Sequence, residues 1–245
     1  MKQTLLFNIL DRVDSTNNYA MGKVHEGLAT HGMAWFAHSQ TAGKGQRGKE
    51  WKSDAGKNVL MSIVLKPELV FRSRPFCFSA FVALCCHDVL VGETNKPFQI
   101  KWPNDLYWRD RKAGGILIEN NFQGTEWKWA VIGIGINVNQ TVFNAGSARA
   151  VALSEIAGKE LDPVQLGAKL HEHILLKYEQ MNEDNVKELV PRYNELLYKK
   201  NEEVKLRKNF AVFQTTIKSV TETGQLVTAD TEERVFNHGG VEWIL

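Results

Sequence analysis

Between Ser39 and Trp51 the chain reads Ser-Gln-Thr-Ala-Gly-Lys-Gly-Gln-Arg-Gly-Lys-Glu-Trp. No other stretch limits the possible folds and chemistries as tightly. Gly43, Gly45 and Gly48 stand among Lys44, Arg47 and Lys49. Glycine lets backbone N–H groups come close to a ligand and tolerates positive φ. Cations beside such a backbone point to a bound anion, most often phosphate. The spacing Gly43-x-Gly45-x-x-Gly48 matches a dinucleotide fingerprint, but that motif opens a helix, and Lys49 to Gly56 has no apolar helical period. A P-loop fails because Glu50 stands where Ser or Thr must hold Mg²⁺. No His-Arg-Asp or Asp-Phe-Gly follows, so a kinase glycine loop fails too. On spacing alone, a basic surface loop is an equal alternative.

The 245 residues, 43% of them hydrophobic, suit one large domain or a large one with a small one. Net charge is +2, which gives no broad field for nucleic acid. Cys77, Cys85 and Cys86 lie in an apolar run without zinc spacing, which predicts buried thiols in a reducing cytoplasm. The short apolar run after Met1 is broken by Asn8 and Asp11, so no signal peptide is expected. No apolar stretch of about 18 residues is apparent, so no membrane span is expected.

Strands are expected over Thr4–Leu10, Gly32–Gln40 and Asn58–Lys66, and helices over Asn17–Glu26 and Ser73–Val91. Asp14-Ser15-Thr16 supplies the cap of the first helix. Ile100–Trp102, Leu106–Trp108, Gly114–Glu119 and Trp127–Val138 read as a meander, with Asn120–Thr125 its longest hairpin loop. Thr141–Ala150 is a candidate mobile loop. Helical periods cover Leu161–Glu179 and Val186–Leu197, the latter interrupted at Pro191. After Asn201 the period becomes two, which predicts a small barrel. The expected division is a domain over 1–198 and a small barrel over 199–245.

A second constellation is Lys101-Trp102-Pro103-Asn104-Asp105, followed by Arg111-Lys112-Ala113-Gly114-Gly115-Ile116-Leu117-Ile118-Glu119 and Gly133-Ile134-Gly135-Ile136-Asn137. Paired strand glycines mark a close approach by a ligand or by another backbone. In this order, with Asp14-Ser15-Thr16-Asn17 and the Gln40–Trp51 loop, the segments resemble the biotin protein ligases over nearly the whole chain.

The resemblance implies an α+β fold: a mixed, largely antiparallel sheet with flanking helices, like class II synthetases, plus an SH3-like β-barrel. It implies ATP-dependent joining of biotin to AMP and transfer of the biotinyl group to a lysine of a biotin carboxyl carrier domain. A lipoate or octanoate ligase or transferase of the same fold is the alternative, and a degenerate adenylate-binding protein a third. By family match, Lys112, Lys44 and Arg47 are the catalytic cations, and Asp105 anchors Mg²⁺. The biotin site is Ser15, Thr16, Asn17, Gln40, Gly43, Lys44, Gly45, Gln46, Trp51, Lys112 and Gly115. The ATP site is Lys44, Arg47, Asn104, Lys112, Gly133, Gly135 and Asn137. The loop is expected to close over the adenylate and exclude water. No winged helix-turn-helix precedes the catalytic segments, so no DNA partner is expected, and a homodimer is possible on the family pattern.

Many relatives carry Gly-Arg-Gly-Arg-Arg-Gly where this chain has Gly43-Lys44-Gly45-Gln46-Arg47-Gly48. Lysine keeps charge but loses bidentate geometry, and Gln46 lacks charge altogether. The expected outcome is that Gln46→Arg slows dissociation of biotinyl-AMP, followed by trapping of released adenylate. Slower loss from the wild-type protein would refute the reading.

Overall fold

β3 (Asn58–Leu65) is buried along its whole length, and the main layer is built around it. A computed structural model describes residues 6–143 and 149–244. β3 lies within a seven-stranded sheet with β1 (Phe7–Val13), β2 (Ala34–Gln40), β4 (Gln99–Lys101), β5 (Asp105–Trp108), β6 (Arg111–Gln123) and β7 (Glu126–Asn137). The order is β1-β2-β3-β7-β6-β5-β4. β1 and β2 run parallel, and every other neighbour is antiparallel.

Alternation along β3 divides the two faces. Met61, Ile63 and Leu65 belong to the main core with the helices α3 (Pro75–Thr94) and α5 (Pro163–Glu179). Val64 turns to the other face, where α1 (Thr16–His25) packs Ala20 and Val24 against it with Trp35 and Val131. Each large apolar side chain fully buried this way contributes about 1.5–3 kcal/mol. α3 is apolar all round because other elements cover it. Its most apolar 18-residue stretch averages a hydropathy of 1.7, which corrects the expectation that no such stretch exists, yet Phe78, Phe81, Val82 and Leu84 sit in the protein core. Cys77, Cys85 and Cys86 are buried on it as free thiols, as expected, and burial pushes all three away from the thiolate.

The remaining helices are α2 (Leu69–Arg72), α4 (Leu153–Ala157) and α6 (Leu189–Glu195). The helical pattern around Pro191 divides into a 3₁₀ turn over Asn185–Glu188 and α6, with Pro191 in the first turn of α6, where its missing N–H is harmless. A second, five-stranded antiparallel sheet comprises β8 (Glu203–Lys208), β9 (Ala211–Val220), β10 (Leu226–Ala229), β11 (Glu233–Phe236) and β12 (Glu242–Ile244), in the order β11-β10-β9-β8-β12. It buries Leu206, Ile217, Val220, Leu226 and Phe236.

Two boundaries differ from expectation. β1 lies three residues later than Thr4–Leu10, in register with β2 from Phe7↔Ala34 to Val13↔Gln40, and Thr4 and Leu5 fall outside the described residues. Asn120–Thr125 is not a long loop. β6 and β7 stay paired to Gln123↔Glu126, because Phe122 and Trp127 stack with centroids 6.2 Å apart. Most of the Thr141–Ala150 loop, residues 144–148, lies outside the described residues.

The second sheet is fastened to the turn between β4 and β5, to α6 and to α3. Trp102 Nε1 donates to the Gly224 carbonyl at 2.9 Å. The Asn194 side chain donates to the Val220 carbonyl and accepts from its N–H, at 2.8 and 2.6 Å. Gly224 has φ +84 and sits under Phe76, whose ring a Cβ would meet at 2.5 Å. Gly224→Ala therefore combines a left-handed backbone with a clash and is expected to cost about 2 kcal/mol or more by urea unfolding. Gly124→Ala, at φ +60 in open space, is the control and is expected to cost about 1 kcal/mol.

Candidate active site

Directly opposed antiparallel residues carry their side chains on the same side of a sheet. Leu60, Gly135, Gly115, Asp105 and Lys101 are opposed in turn across β3, β7, β6, β5 and β4. The row lies on the face that α1 covers only in part, since the neighbouring Gly133 faces Asn17 of α1. Its middle is a trench. A Cβ on Gly135 would come within 2.7 Å of the Trp51 ring, and one on Gly115 within 3.1 Å of Asp105 Oδ1 and Lys112 Nζ. A cavity of about 1090 Å³ occupies this trench.

One end of the cavity is polar. Ser15 caps α1 and accepts from the Asn18 N–H, so its capping role is real. Thr16 donates both its N–H and its hydroxyl to Gln40 Oε1, at 2.7 and 3.1 Å. The fully buried Ser62 hydroxyl lies 2.8 Å from Thr16 Oγ1 and donates to Asn17 Oδ1 at 2.6 Å. Asn17 donates onward to Glu119 at 2.8 Å, and Glu119 meets the flap cation Lys44 at 3.6 Å. Ser15, Thr16, Asn17, Gln40 and Lys44 all line the cavity.

The glycine loop is a flap along one wall. Gly45, Gln46, Arg47 and Trp51 line the cavity, with a 3₁₀ turn over Gln46–Gly48. Gly43 does not line it. It packs behind the wall, where a Cβ would lie 2.5 Å from the Trp51 carbonyl oxygen and 2.7 Å from Gln40 Nε2. Arg47 adopts φ 56, and its guanidinium rests on Gly239 of the second sheet, whose Cβ would lie 3.1 Å from Arg47 Cζ. Trp51 spreads over Gly135, and its buried Nε1 has no partner among the described residues.

The floor carries the charge. Lys112 Nζ is 2.7 Å from Asp105 Oδ1 and 5.5 Å above the Trp51 ring. Asn104 donates to the Ile116 carbonyl and Asn137 to the Lys112 carbonyl, so both amides brace the strands that carry the charged groups. Asn104, Asp105, Lys112, Gly115, Gly133, Gly135 and Asn137 all line the cavity.

Several participants escape a reading of the sequence. Ser62 is one serine in an apolar strand and gives no signal. Glu119 closes the motif around Lys112, and the reason emerges only in space. Trp243 converges on the cavity with Lys101 of the second constellation and with His238, whose imidazole is held below its ordinary value by burial and then by Arg47. Nothing in the period-two pattern after Asn201 marks which strand residues reach another sheet.

Residues 9–137 match the Biotin/lipoate A/B protein ligase family. The bifunctional ligase/repressor BirA of Escherichia coli is 32% identical over 81% of this chain and 61% of its own length. The biotin–[acetyl-CoA-carboxylase] ligase of Paracoccus denitrificans is 34% identical over 63% of this chain and 65% of its own. The chain thus spans about three fifths of the length of the first relative and two thirds of the second. The biotin protein ligase of Aquifex aeolicus in complex with biotin and ATP superposes with a TM-score of 0.80 at 27% identity, over 96% of this chain and 97% of that one. With the motif order, the fold and the cavity in agreement, the chain belongs to the biotin/lipoate A/B protein ligase family.

Proposed function

We propose that the chain is an ATP-dependent biotin–protein ligase, which activates biotin as biotinyl-5′-AMP and passes it to a lysine of a biotin carboxyl carrier domain. The observation that carries the reading is the position of Lys112, beside Asp105 and under Trp51, where hairpin and flap share one hollow. The similarity to the Aquifex ligase holding biotin and ATP supports it over almost the full chain. A cytoplasmic setting fits three free, buried cysteines.

In the first step a biotin carboxylate oxygen attacks the α-phosphorus of ATP. The bond from that phosphorus to the bridging oxygen breaks, and its electron pair leaves with pyrophosphate. Two anions must meet, so Lys112 supplies charge at the reacting centre while Lys44 and Arg47 add it from the flap. In the second step the carrier's ε-amine attacks the acyl carbon, the bond to AMP breaks, and the amine gives up a proton. Trp51 over Gly135 keeps water from the mixed anhydride between the steps.

Mg²⁺ is expected to arrive with the nucleotide. Among the described residues no three His, Cys, Asp or Glu side chains gather to cage a metal. Asp105, with one oxygen on Lys112 and the other available, fits an ion that takes one or two carboxylates plus phosphate oxygens. Bound there, Mg²⁺ would neutralise phosphate charge.

The polar end of the cavity favours biotin over lipoate. Thr16, Asn17 and Gln40 offer hydroxyl and amide groups suited to a ureido ring. A dithiolane ring would leave such groups unanswered, and sites built for hydrogen bonds reject analogues lacking them by about 10⁴-fold.

Incubation with biotin, radiolabelled ATP and Mg²⁺ is expected to yield biotinyl-AMP, and lipoate or octanoate at least about a hundredfold less product. Absence of biotinyl-AMP would end the proposal. Lys112→Gln is expected to slow adenylate formation by about 10²–10³-fold. Gly135→Val lifts Trp51 off the floor, and biotin binding measured by calorimetry is expected to weaken more than about tenfold.

A further inference from the structure

The reading above gives Lys101 no task, although it stands at the end of the row that forms the cavity floor. Its ammonium lies 3.4 Å from Tyr107 Oη, 5.1 Å from the Tyr107 ring and 5.2 Å from the Trp243 ring of β12. No carboxylate among the described residues lies within ion-pair distance of it, because the opposed Asp105 is engaged by Lys112 at 2.7 Å. Burial pushes the Lys101 ammonium down to about 8; Asp105 opposes the shift, and Lys112, Lys49 and Arg149 add to it. A half-buried cation among other cations is unfavourable until an anion joins it.

Strand order indicates which anion. Neighbouring strands are about 4.8 Å apart, so Lys101 stands roughly 10 Å beyond Gly115 and about 5 Å beyond Asp105. It lies on the side away from Asn17 and the polar end. A nucleotide whose α-phosphate meets Lys112 on β6 would direct its outer phosphates along this row. We propose that Lys101, roofed by Trp243 of the second sheet, is the seat of the departing pyrophosphate. The proposal rests on the biotin-adenylation reading. As the carboxylate attacks, the electron pair of the breaking phosphorus–oxygen bond moves onto pyrophosphate. The Lys101 ammonium keeps its proton and screens that charge.

Calorimetric titration with pyrophosphate and Mg²⁺ tests the seat without turnover. Lys101→Gln is expected to weaken pyrophosphate binding about tenfold or more and to raise KM for ATP similarly. It should leave the Kd for biotin, and transfer to a carrier domain from supplied biotinyl-AMP, within about twofold. Lys101→Arg is expected to restore most of the binding. Unchanged pyrophosphate affinity in a folded Lys101→Gln protein overturns the inference, as does a raised KM for the carrier alone. If the wild-type protein forms no biotinyl-AMP, the functional reading fails instead, and the pyrophosphate titration still decides the role of Lys101.

Discussion

The depth of the cavity depends on two opposed positions without side chains, Gly115 and Gly135. Any Cβ at either would meet the Asp105 carboxylate, the Lys112 ammonium or the Trp51 ring. The glycines let a flat indole and a charged pair approach the same patch of backbone from opposite sides. Gly114 shows that the neighbouring position answers to a different demand. Its missing Cβ faces the Ile136 side chain and the Gly135 carbonyl, so it serves packing between β6 and β7. Side-chain alternation thus assigns one glycine of the pair to ligand space and the other to the sheet.

Around the trench, charge is arranged in a gradient along the sheet. The β3–β7 end holds neutral hydroxyls and amides: Ser15, Thr16, Asn17, Gln40 and the buried Ser62. Burying such groups is tolerable because each is hydrogen-bonded, and the chain of bonds fixes the shape of the pocket end before a ligand arrives. The β6–β4 end holds Lys112, Asp105 and Lys101. A ligand with a neutral polar head and an anionic tail fits that gradient in one direction only. Glu119 ties the polar end to the flap by holding Asn17 and Lys44 together. The ion pair itself is half-exposed and worth at most about 1 kcal/mol, so the flap can leave it readily.

Much of this was legible in the sequence where the signal is local. The apolar run of α3, the continuous apolar strands β3 and β7, and the cap at Ser15 follow from periodicity and side-chain chemistry. Gly45, Gly115, Gly133 and Gly135 line one cavity with Lys44, Arg47 and Lys112, while Gly43 packs behind its wall and Gly48 and Gly114 do not line it. What stayed hidden is set by register and long-range contact. The extension of β6 and β7 to Gln123↔Glu126 depends on a cross-strand ring stack that no turn propensity announces. The offset of β1 follows from its parallel pairing with β2. Ser62, Lys101 and Trp243 acquire their places only when strands from different parts of the chain are laid side by side.

The segment Lys101-Trp102-Pro103-Asn104-Asp105 shows why such a run behaves as one unit. The strand pairing of Lys101 with Asp105 turns both side chains onto the cavity floor. The intervening residues tie that turn down on every side. Trp102 donates to Gly224 of the second sheet, Asn104 to the Ile116 carbonyl on β6, and Tyr193 of α6 to the Pro103 carbonyl at 3.0 Å. The hairpin that carries the floor charges is therefore the hairpin on which the second sheet docks. The same sheet places Trp243 over Lys101 and Gly239 under Arg47. The second sheet thus meets the charged end of the cavity at its walls and its floor together, whereas the polar end is braced by α1 and β3.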